Sequence, residues 1–341
     1  MSEYDDYSVY DVVPTGYNLL KARPEELDRY GIPPRPDEPR LFEFWEKLVS
    51  PPFSSKQPTF RFANMASSPK KALTAPPSKP SRTQTTPSRC GTVEWKWNWS
   101  GAIACTLWPK RIVFATAGWV VPNVSAPSAQ ALFTPKNPDP KSLAWVGLDG
   151  DNGKLPKISL PQIGTAHWVD HPSFAWWDWW CNVPNSSPKP VREIKHFPIN
   201  AGNEILAGLA VQVSNDVLFF IKNQSTGDFR SFLAKRQPLP DIEPLGSSVE
   251  WVVERPTRPK SRKLYPLADY DVVDFKYCLA VAADGPEAPE RRLMTLADNG
   301  RMIKMREAFA DPYRTVYVSR AERRRDDDGS IGVRCTFHEP T

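Results

Sequence analysis

A chain of 341 residues, 40% of them hydrophobic, can bury a sizeable core and holds one large domain with appendages or two ordinary ones. Its 37 prolines are about twice the average usage of ~5% and exclude long helices over much of the chain. The net charge of +5 is modest, and its basic residues (Lys70-Lys71, Arg262-Lys263, Arg323-Arg324-Arg325) are not interleaved with aromatics, so no nucleic-acid partner is expected.

In chain order, residues 1–50 form a leader-like segment with short helices. Pro24-Glu25-Glu26-Leu27 has proline where a first helical turn tolerates it. Glu38 to Val49 carries an apolar stripe of Leu41, Phe44, Trp45 and Leu48, closed by Pro51-Pro52. Residues 51–90 are rich in Pro, Ser, Thr and Lys and read as a disordered linker. Short apolar runs separated by turn residues then follow over 91–338: 93–99, 112–117, 143–148, 204–213, 217–222, 249–254, 272–279 and 314–319, with a final strand over 330–337. Their length and spacing predict an all-β antiparallel sandwich, not βαβ units. Hairpin turns are expected at 223–227 and 327–329, and another at 297–300 between Met294–Leu296 and Met302–Met305.

The five cysteines are widely and irregularly spaced, which gives neither a disulfide framework nor a zinc motif. His167 and His171 have no acidic or cysteine ligands following at metal spacing, so no metal and no cofactor are expected. The first residues, MSEYDDYSVYDVV, lack the basic and apolar regions of a secretory signal, and no apolar run reaches ~18 residues, so no membrane partner is expected. No phosphate loop or G-x-S-x-G elbow is present, and Asp149-Gly150-Asp151-Asn152-Gly153 reads as a turn, not a calcium loop.

In SSVEWVVERP (247–256), Val249, Trp251 and Val253 alternate with Glu250, Val252 and Glu254 as in a half-buried strand. By pattern alone Glu250 is a solvated residue. Gln162, after a proline and before Ile-Gly, is by itself a turn residue. The tryptophans around Asp178 could equally be core.

A set of local patterns in fixed order adds to this: Asn98-Trp99-Ser100-Gly101-Ala102, Trp119-Val120-Val121-Pro122, Trp145-Val146-Gly147-Leu148-Asp149-Gly150, Leu160-Pro161-Gln162-Ile163-Gly164, Trp176-Trp177-Asp178-Trp179-Trp180, Ala201-Gly202-Asn203, Ser225-Thr226-Gly227, Glu250-Trp251-Val252-Val253-Glu254 and Leu267-Ala268-Asp269-Tyr270. Together they resemble the glutamic peptidases (eqolisins, peptidase A4 family) from about Val93 to Leu279, and more loosely through 294–319. Residues 29–36, RYGIPPRP, are similar to the leader of some members. The resemblance implies a concanavalin-like, jelly-roll type β-sandwich and an acid endopeptidase acting on polypeptides near pH 2–4, as a monomer, with residues 1–90 removed on activation. It implies Gln162 and Glu250 as catalytic residues, with Trp145, Asp149, Trp176 and Asp178 lining the substrate groove. Secretion is implied too, although no signal is read here, so localisation stays open.

The chemistry fits those residue types. Amide hydrolysis without a metal needs a base for water and a donor for the oxyanion. A carboxylate remains partly ionised in acid, whereas a primary amide both accepts and donates and never titrates. The chain departs from the family pattern in Pro161 before the glutamine and in Asp178 where glutamate is more usual. A non-catalytic carbohydrate-binding sandwich, its tryptophans stacking on sugars, is the alternative.

Overall fold

A computed structural model describes residues 6–67, 94–106, 109–128, 139–151, 159–181, 190–236, 243–259, 263–308, 315–326 and 329–339. Strands in these segments form two layers. The front sheet runs, side by side, β3 (Phe60–Phe62), β10 (Arg192–Pro198), β9 (His171–Cys181), β8 (Ser159–Trp168), β7 (Lys141–Leu148), β14 (Ser248–Glu254), β5 (Trp99–Cys105), β17 (Gly300–Ala308), β18 (Thr315–Arg325) and β19 (Ile331–Phe337). The back sheet runs β16 (Arg291–Thr295), β15 (Val272–Ala283), β6 (Arg111–Val120), β11 (Glu204–Val211), β12 (Val217–Asn223), β13 (Asp228–Ala234) and β1 (Tyr7–Val9). Neighbours in both orders are antiparallel; β2 (Ser54–Ser55) lies parallel to β13 and β4 (Glu94–Lys96) parallel to β17.

Alternation of apolar residues places the core between the layers. Val249, Trp251 and Val253 of β14, with Ala144 and Val146 of β7, meet Ala115, Leu209 and Phe219 of the back sheet. Strand β15 belongs to both sheets. Residues 272–275 pair with β19 in front, residues 279–283 pair with β6 and β16 behind, and the chain turns at Tyr277 with φ of +50°.

The N-terminal helices α1 (Pro24–Arg29) and α2 (Pro39–Val49) lie on the outer face of the back sheet. There Phe44, Trp45 and Leu48 join Leu206, Leu218, Phe220 and Phe229 in one apolar cluster. The Glu38 side chain accepts from the Leu41 N–H at 2.9 Å and starts α2. Buried Lys222 on β12 ends it, its Nζ donating to the carbonyls of Lys47 (3.0 Å) and Ser50 (2.6 Å).

Three segments differ from the sequence expectation. Residues 51–67, assigned by composition to the linker, form β2 and β3. Phe53 packs on Phe229 with ring centroids 5.0 Å apart, and Phe60 lies 4.8 Å from Phe232 and 5.4 Å from Trp177. Composition averaged over forty residues hides these few aromatics; the rest of the linker, 68–90, lies outside the described residues. Residues 160–164 are mid-strand in β8, not a turn. Residues 296–299 form a short helix, α3 (Leu296–Asn299), that carries the chain from β16 in the back sheet to β17 in the front, where a hairpin was expected.

Candidate active site

Because side chains alternate across a strand, Glu250, Val252 and Glu254 point to the outer face of the front sheet, opposite Val249, Trp251 and Val253. Pairing then aligns one transverse row. Glu250 is opposite Gly147, Gly147 opposite Gln162, and Gln162 opposite Asp178. Two strand spacings separate Glu250 from Gln162, roughly 10 Å between backbones. Only the hydrogen of Gly147 stands between them. A Cβ there would sit 2.9 Å from the Pro161 carbonyl oxygen and 3.0 Å from both the Gln162 Cβ and the Trp145 ring. The next row holds Val252, Trp145, Gly164 and Trp176. Trp145 leans over Gly164, whose added Cβ would fall 2.6 Å from the Trp145 Cβ.

Glu250 is fully buried. Its Oε1 accepts from Ser248 Oγ at 2.6 Å, and the Gly150 backbone N–H also donates to its carboxylate. Burial pushes its pKa up to about 8, helped by the Asp149 charge and opposed by Ser248, Gly150 and the Lys96 ammonium. Its Oε2 makes no hydrogen bond, and neither does the Nε2 of the equally buried Gln162. Unpaired buried polar atoms are costly, and these two, like the Nε1 atoms of Trp99 and Trp176 near them, remain free to bond a ligand. Ser67 Oγ lies 3.0 Å from Gln162 Oε1.

Asp149 is wholly buried close to Glu250. Its carboxylate accepts from the backbone N–H of Gly246 (3.0 Å) and of Ser247 (2.7 Å) and from Ser247 Oγ (2.8 Å), fixing the loop that delivers Ser248 and Glu250. Burial raises its pKa against those hydrogen bonds. Asp178, 6% exposed, flanks Gln162, and Trp176 and Trp145 are wholly buried beside it. Trp177 and Trp179, of opposite parity on β9, face the inter-sheet core. At the far end Lys96 bonds Asp151 at 2.8 Å and lies 4.7 Å over the Trp99 ring, and Arg301 pairs with Asp151 and Glu94.

The structure adds two residues that the sequence reading did not assign. Glu254, buried, accepts from Trp145 Nε1 (2.9 Å), Asn98 Nδ2 (3.3 Å) and Ser67 Oγ (2.5 Å). Its position four residues after Glu250 on one strand face was the available signal. Ser67, in the supposed linker, had none. Among the described residues no group of three His, Cys, Asp or Glu could hold a metal ion, and no helix is long and apolar enough to cross a membrane.

The Peptidase A4 family model matches residues 97–317. No curated protein gives a significant match. Two crystal structures of scytalido-glutamic peptidase, one with a transition-state analogue inhibitor and one with a peptide-based transition-state analogue, share the fold. Their TM-scores are 0.52 and 0.51 at 17% and 18% identity, and each covers 71% of this chain and 99% of its own. A family match running from the edge of β5 into β18 covers every strand that carries the row of Glu250 and Gln162, and the chain therefore belongs to the peptidase A4 family, the glutamic-type endopeptidases.

Proposed function

We propose that Gln162 and Glu250 hydrolyse peptide bonds as a pair, with one water held between them. The observation that supports this most is the shared row: two buried side chains, an amide and an acid, separated by a glycine, each with one polar atom unused. Ionised Glu250 takes a proton from the water, whose oxygen bonds to the carbonyl carbon. Gln162 Nε2 donates to the resulting oxyanion. Protonated Glu250 then passes its proton to the leaving nitrogen as the C–N bond breaks. Asp149 and Ser248 position Glu250, and Trp145 and Trp176 keep the site dry. Asp178 lines the row beyond Gln162, where a bound polypeptide would pass. All these groups come from one chain, so a monomer suffices.

At this row the sugar-binding alternative finds no open platform, the exposed Trp95 lying outside it. Trp99, Trp145 and Trp176 are fully buried, with no face left for a ring to stack on.

Glu250→Gln and Gln162→Ala, assayed beside the unaltered chain on a quenched peptide from pH 3 to 9, are expected to lose about 10²–10⁴-fold in kcat where Glu250 is ionised, the range for a lost base or oxyanion donor. Thermal melts check that both still fold. Retention of activity within threefold by either variant would remove the pair from the mechanism.

A further inference from the structure

Away from the row, β4, β17 and β18 bring aromatic rings and cations together at the surface. Trp95 of β4 is opposite Lys304 of β17, and Arg306 of β17 is opposite Tyr317 of β18. The Arg306 guanidinium lies over both rings, 4.9 Å from the centroid of Trp95 and 4.5 Å from that of Tyr317, and it donates to the Tyr317 hydroxyl. Lys304 Nζ is 5.5 Å from the Tyr317 ring and the Arg320 guanidinium 5.3 Å. Trp97 meets Trp95 edge to face at 5.4 Å. Trp95 is 38% exposed, and Arg320 is exposed too. Among the described residues no carboxylate forms an ion pair with these three cations. Glu94 is held by Arg301 at 3.3 Å, and Glu307 by buried Arg255 at 2.6 Å. The Arg306 hydrogen bond, and then the charges of Arg306, Lys304 and Arg320, draw the Tyr317 hydroxyl below its ordinary pKa.

This patch adjoins the candidate catalytic row. Arg301 of β17 is opposite Ile103 of β5, and Ile103 is opposite Glu250. Lys304 follows Arg301 on the same strand, roughly 10 Å further along. Lys96, next to Trp95, already acts on the charge of Glu250. We propose that Trp95, Lys304, Arg306, Tyr317 and Arg320 form an exosite that captures an acidic segment of a polypeptide substrate, its carboxylates meeting the three cations and an apolar side chain resting on Trp95. That the captured chain is a substrate rests on the catalytic reading of Gln162 and Glu250 given above; the binding surface itself does not. Tryptophan, tyrosine and arginine are the side chains that dominate contact energy where proteins bind one another. Cations without partners attract carboxylates and turn basic segments away. Arg306 already covers one face of each ring, so the space between them is closed to a stacked base or sugar. Held here, one part of a chain raises the local concentration of the rest at the row. That lowers KM for acidic proteins and leaves the chemical step unchanged.

The test uses the full chain near neutral pH, where the probe's carboxylates are ionised, and a fluorescein-labelled EELEELEE peptide followed by anisotropy. A double variant, Lys304→Glu with Arg306→Glu, should bind the probe about tenfold or more weakly than the unaltered chain, and Trp95→Ala about threefold or more weakly. Lys276→Glu, a charge reversal of the same kind outside the patch, should bind as the unaltered chain does. A KKLKKLKK probe should bind none of them, and high salt should release the acidic probe. Thermal melts check that each variant folds. Undiminished binding by the double variant or by Trp95→Ala, lost binding in Lys276→Glu, or tighter binding of octathymidylate or a heparin octasaccharide overturns the proposal. A quenched peptide carrying the acidic run should show a KM about tenfold below one without it, a difference that the double variant removes at unchanged kcat. Capture of the acidic probe by a chain that hydrolyses nothing would uphold the surface and sink only the catalytic pair. Turnover with equal KM for both peptides would do the reverse.

Discussion

At position 147 a missing methyl group decides where two side chains can meet. Gly147→Ala would press a Cβ against the Pro161 carbonyl and the Gln162 Cβ, so Gln162 must shift. Overpacking of this kind costs about 1–3 kcal/mol of stability. Activity should fall as well, by about tenfold or more in kcat, while the melt shows a folded chain. The buried titrating groups make opposite demands on pH. Glu250 has its folded pKa raised to about 8, so its contribution to stability is complete below the unfolded value of 4.5 and is lost as pH rises through 8. His167 has its pKa lowered to about 3 by burial, so its contribution is complete above 6.5 and is lost as pH falls through 3. Its two nitrogens lie 3.1 Å from Ser142 Oγ and 2.8 Å from Thr165 Oγ1, and Thr165 also accepts from Trp119 Nε1. Those neutral partners offer an imidazolium no opposite charge to offset its burial. Melting temperatures measured from pH 3 to 9 should show Glu250→Gln gaining on the unaltered chain as pH rises from 4.5 to 8. His167→Gln should narrow its deficit as pH falls from 6.5 towards 3. Parallel curves for all three proteins would refute both assignments.

Single elements explain what could be read in advance. Helix α2 was legible because its stripe of Leu41, Phe44, Trp45 and Leu48 repeats at helical spacing and is buried as expected. Leu48, fully buried in the cluster over β12, should cost about 2–5 kcal/mol as Leu48→Ala, checked by denaturant unfolding. Strand β14 was legible from its period of two. Strand β8 was not, because Pro161, Gln162 and Gly164 are turn residues by local preference, and only the space under Trp145 demands a glycine at 164. Strand β5 hid for a related reason. Its Ser100-Gly101-Ala102 has no apolar alternation, and a Cβ on Gly101 would lie 2.0 Å from the Trp251 carbonyl oxygen. Gln162 and Glu250 were singled out by ordered motifs and not by periodicity. Nothing local to Ser67 points at a partner 95 residues away.

Over the whole chain, the N-terminal residues are part of the sandwich: β1 and β2 extend its back sheet, β3 its front, and α2 covers its rear face. A specific protease site introduced at residue 80 and then cut should therefore leave two pieces that migrate together on size exclusion and part only in denaturant. Immediate separation would show that the rear apolar cluster contributes little. Strand β15 gives the two sheets a common thread, with one half hydrogen-bonded in front, the other behind, and Tyr277 at the corner. Peeling either layer away must pull on the other through that single backbone, so neither can melt while its neighbour stays intact. The enzyme should lose both at one temperature, like a seam that fails only when its whole length gives way.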